Sequence, residues 1–302
     1  MESSPNISYQ KPGSFVSTHP RVQLLLTKLL SLLTSIFKYG FLGALAFLGI
    51  VPLVWMTFSS LKSMGEFRIN QWLWPRVWHW ENYIRIWEGA NFGLYFFNSV
   101  IMTATAVTVM IIVGAMAGYA LARYDFPMRD NLLYYFISGQ VVPGQVVLIP
   151  LFILIRFLGL INTRLALILV YTAAAQPFVV FNLQAFFKGI PKELEEAARI
   201  DGASEFRTFW QIMLPLARGG IGTMAIFQSM WIWNEFLFAL LFAGKEDLRT
   251  LPIGIFNIIG QYYTEYPVFF AGLMVATLPI VIIYLITVRF VIRGVSAGAV
   301  KG

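Results

Sequence analysis

Phe97–Leu121 reads FNSVIMTATAVTVMIIVGAMAGYAL, twenty-five residues without one Asp, Glu, Lys or Arg. Wound as a helix at about 1.5 Å per residue, this stretch exceeds the roughly 30 Å hydrocarbon core of a bilayer. Outward from it, five further stretches have the length and composition to cross: Tyr39–Ser59, Leu132–Ile155, Leu165–Phe187, Ile221–Phe242 and Phe269–Phe290. The whole chain agrees. Of its 302 residues 58% are hydrophobic and only 12% charged, where a soluble domain carries about 25% charge. One water-soluble core cannot bury that much apolar side chain at this length. The expected fold is all-α, a polytopic membrane protein with six transmembrane helices.

Several function classes fall away at once. There is no Cys, hence no disulfide and no thiolate chemistry. His19 and His79 are the only histidines and lie far apart, so no metal centre is expected. No GxxxxGK[ST] loop and no Ser/His/Asp set is present, so the chain is expected to be no enzyme and to bind no cofactor of its own. The net charge of +7 does not signal nucleic acid, because the basic residues flank the apolar runs. With both termini placed on the cytoplasmic side, fourteen of the 22 Lys and Arg residues fall on that side, as the distribution of basic residues in membrane proteins requires. Residues 1–23 are polar and Pro/Ser-rich and read as a disordered tail with no signal peptide. In 24–38, Lys28, Ser31, Ser35 and Lys38 share one helical face, so this segment is expected to lie in the membrane interface. Its alternative is an extension of the first span.

Within the spans, Gly114 and Gly118 form a small-xxx-small face suited to close helix approach. Pro143 and Pro150 in the third span, Pro177 in the fourth and Pro279 in the sixth each remove a backbone donor and make kinks expected there. Lys188 to Gly220 is too long for a turn and carries its own helical grammar. Pro191 suits a first helical position, and Glu193, Glu195 and Glu196 suit the first turn. Asp201-Gly202 breaks that helix. Ser204 then offers an N-cap to a second helix, in which Phe206, Phe209, Trp210 and Met213 recur at helical spacing. Pro215 and Gly219-Gly220 are expected to end it. The result is a helix-turn-helix knob with a small, apolar surface that needs a docking partner.

Glu196-Ala197-Ala198, then Gly202, then Ile212 and Leu214-Pro215 resemble the EAA signature of ABC importer permeases. The flanking Ile190-Pro191-Lys192-Glu193-Leu194-Glu195 and Arg199-Ile200-Asp201-Gly202-Ala203-Ser204 narrow the likeness to maltose-type, MalG-like carbohydrate permease subunits. Three further segments agree: Gly118–Arg123, Trp233–Leu237 and the terminal Ala297-Gly298-Ala299-Val300-Lys301-Gly302. The resemblance runs from about Phe47 to the last residue. It implies a type I importer permease domain over 39–293, with 188–219 as a coupling-helix loop seated on a cytoplasmic ATPase subunit. Glu196, Ala197, Ala198, Asp201, Gly202, Ala203, Ile212, Leu214 and Pro215 would be the coupling residues. The tail 294–302, with Gly298, Val300, Lys301 and Gly302, would reach between two ATPase subunits, although its composition alone says flexible. Implied partners are a homologous second permease, two ATP-binding cassette subunits that hold the ATP and Mg, an extracytoplasmic solute-binding protein and membrane lipid.

For the solute, the fifth span offers Gln228, Trp231 and Glu235, which one continuous helix would place within about 60° of one another, with Asn234 at the border. An aromatic ring flanked by amide and carboxylate suits a polyhydroxylated ligand. Equally, Asn234 and Glu235 could bond backbone freed by kinks or contact the partner permease. Gln140, Gln145, Gln176 and Asn182 are weaker candidates. Trp72, Trp74, Trp78, Trp80 and Trp87 crowd the first outer segment and read as an interfacial belt, with docking of a binding protein as the alternative. Ala243–Pro267 resembles in position the loop that meets the binding protein. Two rivals stay open: an ATP-independent secondary transporter, and a membrane scaffold or sensor for an ATPase.

Overall fold

The computed structural model describes the backbone of residues 20–89, 91–261 and 265–299, and the side chains of 28–89, 91–258 and 265–286. In chain order the helices are α1 (Pro20–Ser60), α2 (Met64–Ile69), α3 (Glu81–Glu88), α4 (Phe92–Arg123), α5 (Arg129–Gly139), α6 (Leu148–Phe157) and α7 (Arg164–Lys188). They continue with α8 (Glu193–Ile200), α9 (Glu205–Thr208), α10 (Leu214–Leu216), α11 (Arg218–Trp233), α12 (Leu237–Phe242), α13 (Leu251–Gln261) and α14 (Tyr266–Ala299). No strand occurs among the described residues. Contacts divide the chain into a unit ending at Trp55 and a unit beginning at Met56.

In the first unit, α1 runs unbroken through the segment expected to lie apart in the interface. Residues 24–38 are therefore the beginning of one long helix and not a separate element. Nothing between Arg21 and Val51 is Pro, and the Gly residues are isolated, so no side chain compels a break. None of its most apolar stretch is buried.

In the second unit, α4 and α7 form the most extensive helix pair. Small residues explain it. A Cβ added at Gly114 would fall 2.5 Å from Val179 Cγ1, and one at Gly118 would fall 2.9 Å from the backbone nitrogen of Gln184. The core around this pair takes in Met102, Met110, Tyr171 and Leu183, together with Phe209 and Met213 and, from the later helices, Met224, Phe238 and Phe242. A smaller apolar cluster joins Ile86, Phe92, Trp233, Leu251, Ile258 and Val268.

Four described helices are long and apolar enough to cross a membrane: Lys28–Ser60, Phe92–Arg123, Arg164–Lys188 and Tyr266–Ile286. The other two expected spans are interrupted. Leu132–Ile155 is divided between α5 and α6 by a non-helical turn at 140–147. Pro143-Gly144 sits inside this turn, where the proline ring disfavours helix in the residue before it and Gly adds no restraint. Pro150 falls in the first turn of α6, where a missing donor is harmless. Ile221–Phe242 is divided between α11 and α12 with no Pro or Gly at the break. There the interruption comes from side chains, as described below. Gly219-Gly220 does not end the knob but opens α11. A Cβ at Gly220 would fall 2.5 Å from the Phe186 ring, so the Gly permits α11 to approach α7.

Polar ties hold the segments at the α4 N-terminus. The buried Lys62 donates to the carbonyls of Asn70 (2.8 Å) and Gln71 (3.1 Å). Asn82 donates to those of Ser60 and Lys62, both at 2.9 Å. Trp74, Trp78 and Trp80 form a chain of ring contacts, 5.3 and 6.1 Å between centroids. From 243 to 251 the chain is fastened to α4. Asn98 Nδ2 donates to the carbonyls of Asp247 (2.8 Å) and Arg249 (3.1 Å), and Leu251 N donates to Ser99 Oγ (2.7 Å). Gly254 packs directly on the Tyr95 ring.

Candidate functional site

The knob forms as its spacing dictates. Glu193, Glu195 and Glu196 lie in the first turn of α8, and Arg199 in the last, each favoured by the helix dipole. At the other end Ala203 N donates to Ala198 O (2.9 Å) and Gly202 N to Arg199 O (3.0 Å), the paired bonds of a Schellman turn. That turn needs a left-handed residue, and Gly202 supplies it with φ +79°. Ser204 follows as the cap of α9, its Oγ accepting from Arg207 N (3.3 Å). Phe209–Met213 then makes one π-helical turn before α10, which rolls Phe209 and Met213 into the core while Trp210 stays half-buried. Phe209 meets Tyr119 of α4 at 5.1 Å.

The exposed side of the knob gathers several of the expected coupling residues. Glu196, Ala197, Asp201, Gly202 and Pro215 are exposed, and Ala203, Ile212 and Leu214 are half-buried. Ala198 is buried and belongs to the packing side. Two large apolar side chains, Ile200 at 85% and Phe206 at 71% exposure, stand among these polar groups.

The packing side carries a charged pair whose meeting spacing did not reveal. Glu195 Oε1 lies 2.6 Å from Arg123 Nε, with the two side chains only 5% and 3% exposed. Arg123 Nη2 also donates to Ile190 O (2.7 Å). Burial pushes the Glu195 carboxyl above its usual value, against the pull of Arg123 and Arg199. Next to it, Tyr124 donates to Glu205 Oε2 (2.7 Å) and Arg199 Nε donates to Glu205 Oε1 (2.8 Å). The bonds from Arg199 and Tyr124 hold Glu205 below the ordinary carboxylate range, and burial, then the bond to Glu205, push the Tyr124 phenol up. The available signal was the cation Arg123 closing a span otherwise free of charge.

The intramembrane candidates separate. α11 ends at Trp233, so Gln228, Trp231 and Glu235 do not share one helical face. Asn234 Nδ2 donates to Met230 O (2.7 Å) at that helix end. Glu235 accepts from the backbone nitrogens of Phe238 (2.8 Å) and Ala239 (3.1 Å) and from the Tyr171 hydroxyl (3.0 Å). Its carboxylate therefore caps α12 and stands in for the helical bonds missing at the break. Gln228 is buried, whereas Trp231 and Asn234 are exposed. Trp231 stacks edge-on against Tyr171 at 6.0 Å. Asn234 lines an open groove of about 290 Å³ with Trp233, Pro252 and Thr277. Gln176 donates across the α4–α7 contact to Met110 O (3.2 Å), and Asn182 to Phe178 O one turn back in its own helix (2.8 Å), while Gln140 and Gln145 lie at the interruption between α5 and α6. Of the tail residues, Gly298 lies within α14. Helix therefore continues to Ala299 where composition predicted a flexible segment, and Val300, Lys301 and Gly302 lie outside the described residues. No cluster able to hold a metal ion occurs among the described residues.

Residues 110–297 match the model of the binding-protein-dependent transport system inner membrane component. The chain belongs to that family. This permease is 38% identical to the diacetylchitobiose uptake system permease protein NgcG of Streptomyces coelicolor, over 83% of its own length and 84% of that protein. It is 34% identical to the trehalose transport system permease protein SugB of Mycobacterium tuberculosis, over 84% and 93%. In fold it resembles a chain of a bacterial ABC transporter involved in importing the acidic polysaccharide alginate, with TM-score 0.75 and 21% identity over 92% of this permease and 99% of that chain. The type I ABC importer permease fold, the multi-pass inner-membrane location and the membership of a transport system follow.

Proposed function

We propose that this permease is the translocation subunit of an ATP-driven, binding-protein-dependent importer for a sugar or sugar-like solute. In this assembly it pairs with a homologous permease, two ATPase subunits that carry the ATP and Mg, and an extracytoplasmic binding protein. The observation that supports the reading is the knob: two short helices joined by a Schellman turn at Gly202, on which Glu196, Ile200, Asp201 and Phe206 are each exposed. A surface of this mixed character, built from a segment far longer than a connector needs, suits docking in a protein cleft. Glu196 makes the polar contact with the ATPase, Gly202 holds the turn, and Leu214-Pro215 directs the chain back into the membrane. Both termini lie in the cytoplasm. The last residues, including Gly298, Val300, Lys301 and Gly302, contact the ATPase pair.

ATPase closure draws the knob inward and biases the permease pair from an inward- to an outward-open state through differential contacts. For the solute, Trp231 and Asn234 are the best-placed side chains, one an exposed ring and the other an exposed amide, while Glu235 shapes the break beside them and Gln228 is buried within α11. The sugar class is supported by the relatives' diacetylchitobiose and trehalose names. The test is ATPase stimulation of the reconstituted complex by its binding protein, screened with disaccharides, oligosaccharides, glycerol phosphate and glycosidic osmolytes. Stimulation by one of these is expected. Uptake by the permease alone in vesicles, without ATPase, would overturn the reading.

A further inference from the structure

The knob is joined covalently to α7 before it and to α11 after it. α4 has no covalent link to it, yet residues at the end of α4 bind it through an ion pair and two hydrogen bonds. Consecutive residues at the end of α4 divide the work. Arg123 holds Glu195 on α8 and the Ile190 carbonyl of the approach, and Tyr124 holds Glu205 on α9. Arg199 closes the two halves of the knob through the same Glu205. The Arg123–Glu195 pair is nearly fully buried, and pulling it apart would leave two charges without compensation. From this joint α4 extends for 32 residues, about 48 Å, seated against α7 at Gly114 and Gly118. Its far end is fastened to the 243–251 segment through Asn98 and Ser99.

We propose that α4 is a strut of this permease and that Arg123 and Glu195 are its positioning pair, the joint through which movement of the knob displaces α4. The proposal rests on the reading of the knob as the coupling element. In that role the pair does not touch ATPase or solute. It makes α4 follow the knob as closely as the covalently attached α7 and α11 do, and so carries displacement to the segment fastened at Asn98. A slack joint would let the knob rock while α4 stayed in place.

The absence of Cys allows a direct test in the complete importer complex. Nitroxide labels are placed at Val113→Cys on α4 and Leu278→Cys on α14, both outward-facing, and their separation is measured by pulsed electron paramagnetic resonance. The probe is Mg²⁺ with a non-hydrolysable ATP analogue. The analogue is expected to shift the distance distribution in the otherwise unaltered permease. Glu195→Gln should reduce the shift to less than half, and Arg123→Glu combined with Glu195→Arg should restore it. A full shift in Glu195→Gln, with the shift abolished in Gly202→Val, would overturn the strut and leave the knob's role standing. A full shift in both variants would overturn that role as well. Failure of the exchanged pair to restore a shift lost in Glu195→Gln would also count against the joint.

Discussion

Gly202 offers a test in which steric bulk and backbone conformation can be separated. Nothing lies within 4 Å of a Cβ built there, yet φ is +79°. A side chain at 202 therefore costs only what the left-handed backbone costs. For Ala this is about 1–2 kcal/mol. For a β-branched residue it moves toward the upper part of the roughly 1–3 kcal/mol range of strained backbone, and for Asn, which tolerates the conformation, it is smallest. A penalty of one or two kcal/mol changes a two-state population by about 5- to 30-fold. Gly202→Asn should retain most coupling, Gly202→Ala should lose several-fold and Gly202→Val at least tenfold. Membrane insertion should be unchanged in all three. The assay is the ratio of solute uptake to ATP hydrolysed in proteoliposomes of the complete importer, with insertion followed by protease protection. An Asn variant as defective as Val would show that size and not conformation matters at the turn. A Val variant that transports normally would refute the argument from the turn to function.

Gly118→Ala should destabilise the α4–α7 pair by about 1–3 kcal/mol, as overpacking in a filled interface does; a thermal unfolding midpoint in detergent equal to that of the unaltered permease would contradict it. Glu235→Ala removes the acceptor for two amides and a hydroxyl and should cost about 1–3 kcal/mol, read in the same assay, with Glu235→Gln milder. Glu205 has its pKa depressed by Arg199 and Tyr124. The stabilisation it brings is therefore present above the ordinary carboxylate range and lost as pH falls through the depressed value. Acidification across that window should lower the melting temperature less in Glu205→Gln than in the unaltered permease. Deleting the last six residues should weaken ATPase association, measured by co-purification, and unchanged association would remove the tail from the coupling reading.

The knob was legible because its signals are local. Proline, three acids, Asp-Gly and a Ser cap each act within one turn, and Gly202 adopts the conformation that its position demands. Gly114 and Gly118 were legible for the same kind of reason, since only a hydrogen in place of Cβ permits that spacing. The break in the fifth span was not legible because hydropathy reports apolar composition and not continuity. Glu235 and Asn234 satisfy backbone groups as well as a helix would, so the chain can break without Pro or Gly. Residues 24–38 run on into the first span without a boundary, because a polar stripe of Lys28 and Ser31 describes the surroundings of a helix and cannot end it. The Arg123–Glu195 pair joins positions 72 apart in the chain, and no periodicity reaches across that distance.

The turn at 140–147 has a consequence for the life history of the subunit. Irregular backbone is not tolerated against lipid chains, and here Val141, Val142 and Val146 leave the seam uncovered within the chain itself. Set among lipid chains, such a turn would need a companion surface to cover it. Synthesised without a companion to shelter that seam, the subunit should be a substrate for membrane quality-control proteases, so its abundance in the cell is governed by the supply of whatever closes over it.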